Sequence, residues 1–77
     1  MDWTLTELRY LLAVVDARSF TVAAGELGVS QAAVSRAVGK LERRLGEGLL
    51  VRTPRACEPT PLGVQLTAQA RRVLAEV

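Results

Sequence analysis

The stretch VSQAAVSRAVGKLERRLG, residues 29–46, limits the possible folds of this chain more than any other segment. Drawn as a helix, it places four apolar residues on one face: Val34, Val38, Leu41 and Leu45. Small and basic residues occupy the opposite face: Ala32, Ser35, Arg36, Gly39 and Arg43, with Lys40 at its edge. A helix with one strongly apolar face is buried against other elements on that face. The segment therefore predicts a helical domain that exposes a small, basic helix face.

Helix-start and helix-stop signals mark the first and third predicted helices. Thr4 and Glu7 form a capping box, and the leucines behind it recur at helical spacing, which predicts a first helix from about Leu5 to Ala17. Ser30 is placed to cap the third helix, and Gly46 is placed to end it.

A short second helix is predicted between them, capped by Ser19 or by Thr21 and ended by Gly28. Its inward-facing residues are expected to be Val22, Ala23, Ala24 and Leu27. Ala24 is small enough for two helices to cross there, Gly28 makes the turn, and Val34 inserts the third helix into the core. This spacing is typical of a helix-turn-helix.

The signals change after the third helix. The segment from Leu49 to Arg52 favours a strand, Thr53-Pro54-Arg55 favours a turn, and residues 56–59 favour a returning strand. Thr60 and Pro61 then start a fourth helix, because threonine caps well and proline suits the first helical position. The predicted fold is all-α with a small β-hairpin, a winged helix-turn-helix followed by a linker helix.

The fourth helix carries an apolar stripe that is still running at the last residue of the sequence. Its members are Leu62, Leu66, Ala70, Val73, Leu74 and Val77. The stripe either pairs with a second copy of the chain or packs on the first helix of the same chain, and both can hold together. We therefore expect residues 1–59 to form one unit, the helix-turn-helix with its hairpin, and residues 60–77 to form a dimerisation helix.

Composition excludes several classes of protein. With 77 residues the chain is one small domain, and its longest apolar runs are far short of a membrane span. The first residues lack the features of a secretory signal. The single cysteine, Cys57, permits no internal disulfide, which suits a reducing cytoplasm. There is no histidine, and Cys57 has no partner for metal binding or nucleophilic catalysis, so we expect neither an enzyme nor a bound cofactor.

Charge is distributed unevenly along the chain. Residues 35–55 hold six basic and two acidic side chains, although the whole chain has a net charge of only +2. A basic block confined to one helix and the following loop matches a polyanion. A protein-interaction module is the alternative function, but it gives no reason for such a block.

The exposed face of the third helix has the chemistry needed to read DNA. Small residues let a helix enter the major groove, and Gln, Ser and Arg side chains hydrogen-bond to base edges. Gly39 costs about 1 kcal/mol relative to alanine inside a helix, which close approach of a ligand would offset. Alternatively, a well-packed helix merely tolerates Gly39. Gln31 can read an adenine edge or simply occupy the first turn of the helix.

Several other residues are candidates for contacts to phosphate. Free amides beside Ser30 and Thr21, at the starts of two helices, favour an anion. Arg52 and Arg55 flank the hairpin turn and can reach phosphate or the minor groove, or pair with Glu47 or Glu58. Arg43 and Arg44 can likewise belong to a solvated face with Glu47, which is the preferred interpretation for Arg44.

These residues resemble the N-terminal DNA-binding domain of LysR-type bacterial transcriptional regulators. The resemblance runs from about Leu5 to Leu74 and rests on an ordered pattern: Phe20-Thr21-x-Ala23-Ala24, Leu27-x-Val29-Ser30-Gln31-x-Ala33-Val34-Ser35-Arg36, Leu41-Glu42, Leu45-Gly46, Leu49, Arg52 and Arg55. It implies base reading by Gln31, Ala32, Ser35 and Arg36. It also implies that residues 1–59 form a winged helix-turn-helix that binds DNA, in which the β-hairpin is the wing. Four residues of the wing are implied to contact DNA: Arg52, Thr53, Pro54 and Arg55.

The resemblance implies partners as well. Family members bind roughly dyad-symmetric double-stranded DNA containing T-N11-A, and pair through the linker helix. Full-length members assemble mainly as tetramers and carry a C-terminal domain that binds a small-molecule co-inducer. We expect that domain to lie outside this chain, which would act in the bacterial cytoplasm on the nucleoid, with no membrane partner.

The chain departs from the family pattern at four places. Ala32 stands where Pro or Ser is common, so it loses a side-chain hydrogen bond but can contact a thymine methyl group. Gly39 replaces a polar or basic residue, which removes a possible phosphate contact. Leu50 replaces a phenylalanine of the wing strand, and residues 59–63 differ from the usual Leu-Thr-x-Ala-Gly.

Overall fold

The computed structural model describes residues 3–53 and 57–75. Within them the elements are α1 (Leu5–Ala17), α2 (Phe20–Leu27), α3 (Gln31–Leu45), β1 (Leu50–Arg52), β2 (Cys57–Pro59) and α4 (Pro61–Ala75). The two strands pair antiparallel, with Leu50 opposite Pro59, Val51 opposite Glu58 and Arg52 opposite Cys57. This arrangement confirms the predicted fold class. Among these described helices, none is both long and apolar enough to cross a membrane.

The helices begin where the capping residues predict. The Thr4 hydroxyl accepts from the Glu7 amide at 3.1 Å while the Glu7 carboxylate accepts from the Thr4 amide at 2.9 Å, which completes the capping box. Ser19, rather than Thr21, caps α2. Ser30 caps α3 by accepting from the Ala33 amide at 3.0 Å.

The turn between α2 and α3 and the end of α3 both use glycine. Gly28 and Gly46 have φ values of 70° and 72°, a left-handed backbone conformation that residues with a Cβ rarely adopt. Each accordingly ends its helix. The short turn after Gly28 brings the N-terminus of α3 beside that of α2.

Two hydrophobic clusters share α1. The first joins α1, α2, α3 and β2 through Val14, Phe20, Ala23, Ala24, Val34, Val38 and Cys57. The second joins α1, α3, the loop before β1 and α4 through Leu8, Leu11, Leu41, Leu49, Leu66 and Ala70. The apolar face of α3 is therefore buried in both clusters, and the rotation of α3 about its axis is fixed.

The prediction that Val22 of α2 faces inward is wrong. Val22 is 52% exposed, whereas Ala23 and Ala24 are buried and Leu27 is partly buried. At 100° per residue, Val22 lies about 150° from the centre of the buried face formed by Phe20, Ala23, Ala24 and Leu27. Val22 therefore lies on the side of this 8-residue helix that faces solvent.

The stripe on α4 packs on α1 of the same chain, which is one of the two predicted alternatives. Leu66 and Ala70 are 7% and 0% exposed and lie against Leu8 and Leu11. Neither is available to a second copy. Leu62 and Val73 pack partly against the same cluster, and Leu74 is half-buried. Val77 lies outside the described residues.

The start of α4 meets the hairpin at a position that requires glycine. A Cβ on Gly63 would overlap the carbonyl oxygen of Leu49. That carbonyl accepts from the Thr60 amide at 2.9 Å, and the Thr60 hydroxyl donates to the Gly48 carbonyl at 2.7 Å. Thr60 also accepts from the Gly63 amide at 3.1 Å, as its predicted capping role requires. Backbone contact therefore holds α4 against the base of the wing.

Candidate nucleic-acid interface

The outer face of α3 is the surface that the sequence predicts. Most of its predicted contact residues are exposed: Gln31, Ala32, Arg36, Lys40 and Arg43. Ser35 and Gly39 are half-buried on the same face. The buried partners opposite them, Val34, Val38 and Leu41, are at most 2% exposed. A rigid helix thus presents small and cationic side chains to the outside.

The N-terminal end of this face is organised by a contact from α2. The Thr21 hydroxyl donates to the Oε1 atom of Gln31 at 3.2 Å. Thr21 was a candidate for phosphate contact, and in the structure its hydroxyl also orients the side chain of Gln31. Ser30 is exposed beside them at the N-cap of α3. The starts of α2 and α3 therefore form one polar surface.

Arg52 joins the wing to α3. Its Nη2 atom donates to the Ser35 Oγ atom at 2.8 Å, and its guanidinium carbon lies 3.9 Å from the centre of the Phe20 ring. Among the described residues Arg52 pairs with neither Glu47 nor Glu58: Glu58 instead pairs with Arg18 at 3.0 Å, and Arg52 contacts Phe20 and Ser35. The same alternatives for Arg55 lie outside the described residues. The spacing of residues along the sequence does not predict this contact, because Arg52, Ser35 and Phe20 belong to three different elements: β1, α3 and α2.

Arg44 has a structural partner that differs from the predicted one. Its Nη1 atom donates at 2.5 Å to a carboxylate oxygen of Glu7, whose side chain is only 7% exposed. The expected neighbour Glu47 lies beyond the end of the helix. Arg44 therefore neutralises a buried carboxylate and ties α3 to the start of α1.

Among the described residues, the other cations of α3 take part in no ion pair. Across residues 3–53 and 57–75, the ion pairs join Arg18 to Glu58, Arg44 to Glu7, and Arg71 to Asp16. Arg36, Lys40 and Arg43 take part in none of these pairs. They line a groove of about 440 Å³ between α3 and the start of α1, whose lining is Thr4, Glu7, Arg36, Ala37, Lys40, Arg43 and Arg44. Like charges this close on one helix repel each other, and an external anion would relieve that repulsion.

Gly39 is not required by packing. A Cβ there would meet only the Arg43 Nη1 atom at 3.5 Å, an ordinary contact. This space is compatible with both predicted explanations for a glycine at position 39, which are close approach of a ligand and tolerance by a well-packed helix. At the wing, Thr53 is exposed at the end of β1. Pro54 and Arg55 lie outside the described residues.

Sequence reasoning missed the residue that sets the path from α3 to the wing. The Glu42 carboxylate accepts from the Leu49 amide at 2.7 Å and from the Leu50 amide at 3.3 Å. The one available signal was an acidic residue on the half-buried side of α3, shortly before a loop rich in glycine. In the described part of the chain, no cluster of His, Cys, Asp or Glu is arranged to hold a metal ion.

Comparison with known sequences gives a consistent result. Residues 5–71 match the family model described as bacterial regulatory helix-turn-helix protein, lysR family. The chain is 44% identical over 71 residues to the HTH-type transcriptional regulator BudR of Raoultella terrigena, which covers 92% of this chain and 24% of that protein. It is 46% identical over 74 residues to a probable hydrogen peroxide-inducible genes activator of Streptomyces viridosporus, covering 96% of this chain and 24% of that protein. The chain thus spans about a quarter of the length of these relatives, which are regulators rather than enzymes.

Solved structures share the fold closely. The crystal structure of the BenM_DBD/catB site 1 DNA complex superposes with a TM-score of 0.91 at 40% identity, covering 95% of this chain and 82% of that one. The CbnR_DBD-DNA complex gives a TM-score of 0.89 at 38% identity, covering 94% and 83%. Both neighbours are DNA complexes with the same order of helices and wing. An anchored α3 with a small, basic outer face, a hairpin wing and a family match over residues 5–71 lead to one conclusion: the chain belongs to the lysR family of bacterial regulatory helix-turn-helix proteins, as a DNA-binding domain.

Proposed function

We propose that this chain binds double-stranded DNA sequence-specifically, with α3 in the major groove and the wing on the backbone or minor groove. The observation that carries this proposal is the division of α3 into two faces. One face is buried in the core, while the other is exposed and bears Arg36, Lys40 and Arg43, which take part in none of the ion pairs among residues 3–53 and 57–75. Solved DNA complexes of structural neighbours at 40% and 38% identity support it.

The side chains divide into two roles. Base edges are read by residues near the start of α3: Gln31, Ala32, Ser35 and Arg36. Arginine pairs best with guanine, glutamine with adenine, and the alanine methyl group with the thymine methyl group. The DNA backbone or the minor groove is contacted by Thr21, Ser30, Lys40, Arg43, Arg52, Thr53, Pro54 and Arg55, with Gly39 allowing close approach. Phosphate contacts supply affinity at any sequence, and base contacts supply the choice of sequence.

The proposal extends to a homodimer on a dyad-symmetric site. Two copies paired through α4 would present two α3 helices to successive major grooves about 34 Å apart, which suits a T-N11-A operator. Since Leu66 and Ala70 are buried within the chain, pairing has to use the outward face of α4, on which Val64 is 55% exposed, and the half-buried Leu74. Assembly into tetramers and response to a small-molecule co-inducer would depend on segments outside this chain, and the site of action is the bacterial cytoplasm.

The deciding experiment is a selection from a pool of random DNA duplexes at near-physiological salt. We expect enrichment of a dyad with T-N11-A spacing, and binding that weakens as salt rises. Enrichment of a single half-site would support DNA reading and contradict pairing of this chain. No enrichment together with no salt dependence would overturn the proposal in favour of a protein-interaction module.

A further inference from the structure

The hydrogen bond between Arg52 and Ser35 has a chemical direction. A guanidinium group has five N–H donors and no acceptor, so the Ser35 Oγ atom must be the acceptor in the 2.8 Å contact. The hydroxyl proton of Ser35 therefore points away from Arg52. A free serine hydroxyl, in contrast, can donate or accept toward a base edge with equal ease.

Arg52 is held in place from two further directions. Its guanidinium group stacks 3.9 Å above the ring of Phe20, which is itself only 5% exposed in the core. Its backbone belongs to β1, opposite Cys57 of the paired strand β2. Because the ring and the strand are both fixed, the direction from which Ser35 receives its hydrogen bond is fixed too.

We propose that Arg52 is a positioning residue that makes Ser35 a hydrogen-bond donor toward DNA and thereby sets the base preferred at the position that Ser35 faces. This inference rests on the proposed function of α3. A hydroxyl group that already accepts from a cation keeps one lone pair but is polarised as a donor, so it favours an acceptor such as guanine O6 or N7 or thymine O4. It disfavours the amino groups of cytosine and adenine, which are themselves donors and which the adjacent guanidinium group repels. The wing thus contributes to sequence choice through a residue that need not touch a base.

The alternative role for Arg52 is a direct contact to phosphate. Such a contact would strengthen binding to every duplex alike and would raise the dependence of binding on salt. It would leave the base preference at the Ser35 position unchanged. The two roles therefore predict different results for the same substitution.

The test compares wild type with Ser35→Ala, Arg52→Met and the double variant. Arg71→Met is the matched control, since Arg71 is an exposed arginine that pairs with Asp16 on the far side of α1. Methionine is shorter than arginine and has no N–H donor, but it keeps an unbranched apolar side chain that can still contact the Phe20 ring favourably. Each variant is first checked by thermal unfolding and then titrated with duplexes that carry all four base pairs at each position of the selected site.

We expect wild type to favour guanine or thymine about fivefold at the base pair that Ser35 faces, which is the lower end of the range for a specific contact. Ser35→Ala should lose this preference. Arg52→Met should reduce the preference at that same pair to less than about twofold, and the double variant should lose no more. Arg52→Lys should retain the preferred base, because lysine still donates to Ser35.

Three results would overturn the inference. One is an Arg52→Met variant that weakens all duplexes equally and keeps the preference. Another is a Ser35→Ala variant without altered preference at any position. The third, loss of preference in Arg52→Lys as in Arg52→Met, would show that stacking rather than donation is responsible. Failure of the proposed function itself is distinguishable, because wild type would then discriminate between no duplexes at all.

Discussion

At the scale of single residues, two glycines inside helices have opposite surroundings. Gly63 faces the Leu49 carbonyl so closely that no Cβ fits between them. Gly39 has open space except for the end of the Arg43 side chain at 3.5 Å. The first glycine is therefore required by the fold, and any requirement for the second has to come from a ligand.

Alanine at these two positions should change the free energy of unfolding in opposite directions. Gly63→Ala forces backbone apart at the base of the wing and should cost about 1–3 kcal/mol, as overpacking typically does. Gly39→Ala should stabilise the chain by up to about 1 kcal/mol through helix propensity. Urea unfolding followed by circular dichroism measures both, and destabilisation by Gly39→Ala would contradict the space seen around that residue.

The two roles proposed for the cations of α3 separate in a second pair of variants. Arg36→Ala should weaken binding to the selected site and relax base preference, with a loss of about 1–3 kcal/mol. Lys40→Ala should weaken all duplexes about equally and lower the salt slope by about one. Titrations of specific and random duplexes at several salt concentrations measure this. Equal losses on both duplexes for Arg36→Ala would refute its role as a base reader.

At the scale of elements, the carboxylates of Glu7 and Glu42 hold α3 in place. Glu7 of α1 accepts from Arg44 of α3 at 2.5 Å, and Glu42 of α3 accepts from two amides at the start of the wing. Phe20 of α2 supports Arg52 of β1. α1 and α2 thus fix α3 and the wing as a unit, together with the bonds from Glu42 to the amides of Leu49 and Leu50.

Two arginine variants compare a buried ion pair with an exposed one. Arg44→Met leaves the Glu7 carboxylate, 7% exposed, without its cation, and should cost about 1–3 kcal/mol. Arg71→Met removes a pair whose side chains are 55% and 52% exposed, and should cost clearly less than Arg44→Met because solvent screens it. The Asp16 hydrogen bond and charge raise the pKa of Arg71. Similar losses in urea unfolding for both variants would show that burial of Glu7 is not decisive.

At the scale of the whole molecule, α1 is the element on which both hydrophobic clusters are built. The first cluster orients the helix-turn-helix, and the second attaches the wing and α4 to the same helix. α4 is consequently part of the domain core rather than a separate arm. Any dimer has to form on the face of α4 that this core leaves uncovered.

Substitutions on the two faces of α4 should therefore behave differently. Leu66→Asp places a charge in the core and should unfold the domain, so it does not report on pairing. Val64→Asp lies on the outward face, where the side chain is 55% exposed, and should keep the fold while weakening self-association. Sedimentation equilibrium measures the association, and circular dichroism provides the folding control. An unchanged dimer in Val64→Asp would place the interface elsewhere.

The sequence by itself determined the elements and the face of α3 that points outward. Helix ends follow from local chemistry, since Thr4, Ser19, Ser30 and Thr60 bind amides three residues away and Gly28 adopts a left-handed turn. The burial of α3 follows from the periodicity of its apolar residues. Such signals are short-range, so a linear pattern contains them.

The tertiary structure alone decided which distant residues meet. The partners of Arg44, Arg52 and Glu42 lie 37, 17 and up to 8 positions away. The helical pattern separates Arg44 from Arg43 but does not name Glu7 as its partner, and it does not distinguish Arg52 from a cation that faces solvent. The apolar stripe of α4 was consistent with a second copy and with α1, because both would bury the same side chains. The packing of the whole chain shows that Leu66 and Ala70 are buried against α1, since burial depends on where every other element lies, while pairing with a second copy stays a prediction.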